Sequence, residues 1–89
     1  MQTKAEILIQ TLGEIIKSHR LKKDKSIYQI SAESSMPIPT WSRIERGKYK
    51  NIQFLSLWKI SEGLEINIED LVKELRLKLG ENFLITEEI

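Results

Sequence analysis

The chain has no cysteine, so neither a disulfide framework nor a thiolate metal site can be built from it. His19 is the only histidine, which removes the usual zinc sets and nucleophile–base pairs. The four glycines, Gly13, Gly47, Gly63 and Gly80, stand far apart and cannot form a phosphate-cradling loop. Long apolar runs are missing too. The start, MQTKAEILIQTLGEII, is interrupted by Lys4, Glu6, Gln10 and Glu14, and reads as neither a signal peptide nor a membrane span. Carboxylates do gather at Glu65, Glu69 and Asp70, but they look like a helix N-terminus, where negative charge is favourable. These absences argue against an enzyme, a metal protein or a cofactor carrier. The lack of cysteine is compatible with the cytosol.

What is present suits one small globular domain. Eighty-nine residues leave no room for a second core, and an apolar share of 40% exceeds that of a disordered chain. The net charge of +1 conceals two unlike halves. Residues 1–50 hold ten Lys/Arg against five Asp/Glu; residues 51–89 hold four against eight. A basic half can attract phosphate while the acidic half faces away, although two solvated helix faces would give the same count.

Helical periodicity runs through most of the chain. A first helix is expected over about Lys4–Lys23, with Leu8, Leu12, Ile15, Ile16 and His19 on one stripe. Lys22, Lys23, Asp24 and Lys25 form a polar exit, and Ser26 can cap a second helix whose inward residues are Ile27, Ile30 and Ser34. Ser35 sits at a turn. A third helix begins near Pro37–Pro39, because proline is tolerated in a first helical turn. Trp41 and Ile44 face inward and Gly47 ends it. A fourth helix is expected over about Phe54–Glu62, with Phe54, Leu57, Trp58, Ile60 and Leu64 as core. Asn67 and Asp70 suggest a capping box for a fifth, continuing through Leu71, Val72 and Leu75 to about Leu79, with Gly80 as its stop. The remainder, ENFLITEEI, alternates enough for a short strand or an arm. Residues 26–47 thus read as helix, tight turn, helix, a unit suited to laying its second helix in the major groove of DNA.

From Leu12 to about Leu75 the chain resembles the Cro and phage-repressor type of helix-turn-helix protein, often called the XRE-like family. The segments LGEIIKSHR, WSRIERGK and LWKISEGLEINIEDL carry the resemblance, over about two thirds of the chain. It implies an all-α, compact five-helix lambda-repressor-like domain over residues 1–79, with a C-terminal tail at 80–89. It also implies operator binding, usually as a homodimer on a palindrome, in the cytoplasm. Arg20 and Glu45 fall on the family's paired arginine and glutamate beneath the recognition helix. This chain departs from the pattern at Ile27, where a phosphate-gripping glutamine is usual, at Ser35 for the turn glycine, and at Ser31 for a tightly packed alanine.

The recognition helix, about 38–46, keeps Thr40, Ser42 and Arg43 as polar side chains. Arg43 is the candidate for direct readout, since a guanidinium can bond guanine O6 and N7 together. Ile38 and Pro39 cannot donate to a base edge from their side chains but can touch thymine methyl groups. Arg46, Lys48, Tyr49, Lys50 and Asn51 follow as candidate phosphate ligands. Ser26, Tyr28 and Gln29 at the second helix are further candidates, and Lys22, Lys23 and Lys25 distant ones. Trp41 is expected in the core rather than stacked on a base. His19 is expected as a packed neutral imidazole.

Two functions follow. The first is a sequence-specific transcription regulator, dimeric through helix five and Phe83, Leu84 and Ile85 of the tail. The second is an antitoxin-like protein-interaction module of the same fold, which masks a partner such as a toxin and binds DNA weakly alone. The loss of polar residues at 27, 38 and 39 favours the second slightly.

Overall fold

The computed structural model describes residues 1–88. Five helices make up the domain: α1 (Lys4–Lys22), α2 (Ile27–Ser34), α3 (Ile38–Glu45), α4 (Phe54–Leu64) and α5 (Ile68–Leu79). A 3-10 turn follows at Ile85–Glu88, and there is no strand among the described residues. No described helix is long and apolar enough to cross a membrane. α1 lies against α3 and α5, while α2 packs on α3 and α4.

The helix starts are chemically specified at α1 and α2. Thr3 accepts from the Glu6 N–H at 3.1 Å and Glu6 returns the favour to the Thr3 N–H, a closed capping box. Those bonds, the backbone one foremost, hold the Glu6 carboxyl below its ordinary value. Ser26 and Gln29 repeat the arrangement at α2, at 2.9 and 3.1 Å. α2 ends on Ser35 in the left-handed conformation (φ 57°), a position that glycine fills without strain. The Ser31 hydroxyl donates to the Met36 carbonyl and fastens that turn.

Leu12, Ile15, Ile16, Ile30, Met36, Trp41, Ile44, Ile60, Leu64 and Leu71 form the core. Trp41 is fully buried, so its indole N–H needs a partner. Ser34 Oγ accepts from it at 2.7 Å and donates its own O–H to the Ile30 carbonyl at 2.7 Å. That chain of bonds explains why a serine is buried at the end of α2. Gly13 permits the contact between α1 and α3: a Cβ there would lie 2.4 Å from the Ile44 carbonyl oxygen.

Several sequence expectations are corrected. Phe54 and Trp58 are 69% and 45% exposed rather than core, and meet edge to face with centroids 6.0 Å apart. Apolar residues cover a broad arc of α4, wider than its neighbours can bury, so its pattern did not reveal which side remains uncovered. Asn67 precedes α5 without a side-chain bond to the helix backbone; its amide instead donates to Asp70 Oδ2 at 3.4 Å. His19 does more than pack: its Nε2 lies 2.7 Å from Glu74 Oε1 and links α1 to α5. The tail forms the 3-10 turn against α1 rather than a strand, and Ile89 lies outside the described residues.

Candidate nucleic-acid interface

α3 presents one face to the core and another to solvent. Trp41, Ile44 and Glu45 are buried. Ile38, Pro39, Arg43 and Arg46 are exposed, and Thr40 and Ser42 are half-buried between them. The spacing from Pro39 to Arg43 is one helical turn, so these two side chains share a stripe. Arg46 is steadied by donating from Nε to the Ser42 carbonyl at 3.2 Å.

Beyond α3 the chain turns at Gly47, whose φ of +69° suits glycine and whose Cα lies close to Gln10. The Lys48 N–H reaches back to the Arg43 carbonyl at 2.9 Å. This closure brings Arg43, Arg46, Lys48, Tyr49, Lys50 and Asn51 around one open cleft. Tyr49 is half-buried and packs its ring on the core; the other five are exposed. Four cations and no carboxylate line this cleft among the described residues. Such a surface attracts polyanions, and the neighbouring hydroxyl and amide groups can bond phosphate oxygens.

Beneath α3, Arg20 and Glu45 meet in a two-pronged contact. Nε donates to Oε2 at 2.6 Å and Nη2 to Oε1 at 2.9 Å. Nη1 donates to the Lys25 carbonyl at 2.8 Å. Both residues are buried. One guanidinium thereby ties the end of α3 to α1 and to the loop before α2. The Glu45 bond raises the already high pKa of Arg20, so its charge is permanent.

Other candidates sit apart from the cleft. Ser26 and Gln29 are occupied with each other in the capping box, and Tyr28 stands 73% exposed on α2. Lys25 is drawn away from any distant phosphate role. Its ammonium donates to Glu33 at 2.7 Å and Glu65 at 3.3 Å. The Glu33 bond leads in raising the Lys25 pKa, while the Lys25 bond leads in lowering that of Glu65. Lys23 lies 4.0 Å from Glu65, and Lys22 remains exposed. Sequence reasoning missed Gly13 as the residue that lets α1 reach the back of α3. A lone glycine inside a helical pattern was the available signal.

No protein-family model matches the chain. Over 60 residues it is 37% identical to the HTH-type transcriptional regulator SlrR of Bacillus subtilis (strain 168). That alignment takes in 67% of this chain and 40% of SlrR, so the chain spans less than half the length of this curated relative. Among solved structures, a mutant of the restriction-modification controller protein C.Esp1396I superposes with a TM-score of 0.74 at 25% identity, over 84% of this chain and 94% of that one. The clp gene regulator ClgR from C. glutamicum gives 0.72 at 21% identity, over 84% and 96%.

Proposed function

From the premise that this chain carries a lambda-repressor-like helix-turn-helix domain of the Cro and phage-repressor type, we propose that it is a sequence-specific regulator of transcription that binds double-stranded DNA. α3 enters the major groove, with Arg43 as the hydrogen-bonding base reader and Thr40 and Ser42 beside it. Arg46, Lys48, Tyr49, Lys50 and Asn51 hold the adjoining phosphates, and Ser26, Tyr28 and Gln29 flank the groove from α2. The observation that carries this reading is the carboxylate-free cationic cleft continuous with the exposed face of α3.

The active form is a homodimer on a palindrome. Two copies of α3 then occupy successive major grooves roughly 34 Å apart. Val72, Leu77, Leu84 and Ile85 are exposed on α5 and the tail, and apolar surface of that kind favours a second copy as its cover. Arg20 and Glu45 act indirectly, by fixing the angle of α3.

Selection from a random DNA library at low and high salt tests this. An enriched palindrome is expected. With about six phosphates contacted per dimer, affinity should fall roughly a thousandfold between about 50 and 200 mM salt. Weak binding that is blind to sequence would refute it. A second reading, a module whose main task is to mask a partner such as a toxin, would then apply. The exposed Phe54, Leu55 and Trp58 on α4 favour that alternative.

A further inference from the structure

We propose that the first turn of α3 recognises the C5-methyl group of a pyrimidine, in thymine or in 5-methylcytosine, through Ile38 and Pro39. The inference rests on the DNA-binding reading above and names what part of the base the helix tip reads.

The tip of α3 is unusually poor in hydrogen-bond donors. A helix N-terminus ordinarily offers several free N–H groups, which suit phosphate and base acceptors. Here Pro37 is the N-cap and Pro39 lies in the first turn, and neither has an N–H. The N–H groups of Thr40 and Trp41 are both directed to the Pro37 carbonyl, at 3.1 and 3.2 Å. No side chain caps the helix. Among the described residues of this turn, Ile38 keeps the one backbone donor not spent within it.

The two most exposed side chains of the same turn are apolar, with the half-buried Thr40 hydroxyl behind them. Ile38 is 42% exposed and Pro39 is exposed, while the residues that serve the core from this helix are Trp41 and Ile44. Core packing therefore does not account for a β-branched hydrophobe at this protruding position. A base edge bearing only donors and acceptors would lose water there and gain no partner. The pyrimidine methyl is the apolar group that the major groove displays. Cytosine and uracil lack it, whereas thymine and 5-methylcytosine carry it on the same ring carbon. Arg43 lies one helical turn beyond Pro39, so the same stripe sets a methyl reader beside a guanidinium that can take a nearby guanine.

The test uses the full chain and the operator enriched from the library. Each thymine of a half-site is replaced in turn by uracil, which removes the methyl and nothing else. At one or two positions affinity should fall about fourfold, the worth of one buried methyl-sized group. At those positions a 5-methylcytosine–guanine pair should bind about fourfold tighter than a plain cytosine–guanine pair. A thymine effect without a 5-methylcytosine effect would restrict the proposal to thymine. Ile38→Ala and Pro39→Ala should bring the thymine-to-uracil ratio towards one, with an unchanged helical circular-dichroism spectrum as the check on folding. An operator bound equally well after every uracil replacement would overturn the proposal and leave DNA binding standing. So would methyl effects that survive both substitutions. Failure to enrich any operator would overturn the DNA-binding reading itself, before any base is exchanged.

Discussion

Replacing Glu45 with methionine should loosen the tie between α3, α1 and the loop before α2. The substitution keeps the volume and strands the Arg20 guanidinium, which loses two of its three hydrogen bonds and keeps the 2.8 Å bond to the Lys25 carbonyl. Breaking a buried pair from one side costs about 3–5 kcal/mol; the surviving carbonyl contact points to the lower end, about 3 kcal/mol. For a domain of this length that is a sizeable share of a total of roughly 5–13 kcal/mol, and a fall in Tm of about 12–24 °C. Arg20→Met should cost a similar amount. The double variant removes both charges and should lie within about 1 kcal/mol of the parent, since apolar replacements of buried pairs are often neutral or better. Urea unfolding read by Trp41 fluorescence gives all three numbers. Trp58 is exposed and would dilute the signal, so the series belongs in a Trp58→Phe background. If Glu45→Met costs less than about 1 kcal/mol, the pair is worth no more than a surface contact and the reasoning fails. It fails equally if the double variant loses the sum of the singles.

Other expectations follow from the same geometry. Gly13→Ala would push a methyl against the Ile44 and Glu45 carbonyl oxygens, at 2.4 and 2.9 Å, where backbone cannot yield. The overpacking cost of about 1–3 kcal/mol should outweigh the roughly 1 kcal/mol that alanine gains in helix propensity, so its urea midpoint should fall. Lys48→Ala and Lys50→Ala should each reduce the salt slope of DNA binding by about two per dimer, one lost contact from each protomer, and leave the enriched sequence unchanged. Lys25 holds the Glu65 carboxyl below its ordinary 4.5. A depressed acid stabilises fully above that value and loses its effect as pH falls through the lower native one. Glu65→Gln should therefore lower the urea midpoint slightly near neutrality, leave it unchanged at low pH, and so flatten the acid limb of urea midpoint against pH.

Much of the architecture was legible because the signals were local. Ser26 announced α2, Pro39 marked a helix start rather than a break, and Gly47 and Gly80 stood where helices stopped. The core of α1 and α3 followed from periodicity. What the chain did not disclose was decided between elements. Phe54 and Trp58 satisfy the helical pattern as well as Ile60 and Leu64 do, and only the placement of neighbouring helices decides which are covered. Lys25 belongs to a charge run in the sequence, yet carboxylates from α2 and the end of α4 converge on it in space. The cationic cleft was half visible: its residues are nearly consecutive, but their closure depends on the turn at Gly47 and the bond from Lys48 to Arg43.

The indole of Trp41 joins α3 to Ser34 of α2 from the inside, while the outward residues of α3 take no share in that bond. On the proposed function, anchorage and base contact are thus separate properties of one eight-residue helix. A redesigner could exchange Ile38, Pro39, Thr40, Ser42 and Arg43 for the outward residues of another reader and keep the mounting. If α3 reads DNA as proposed, the same separation would let operator choice change through surface residues alone, with the core bond left in place.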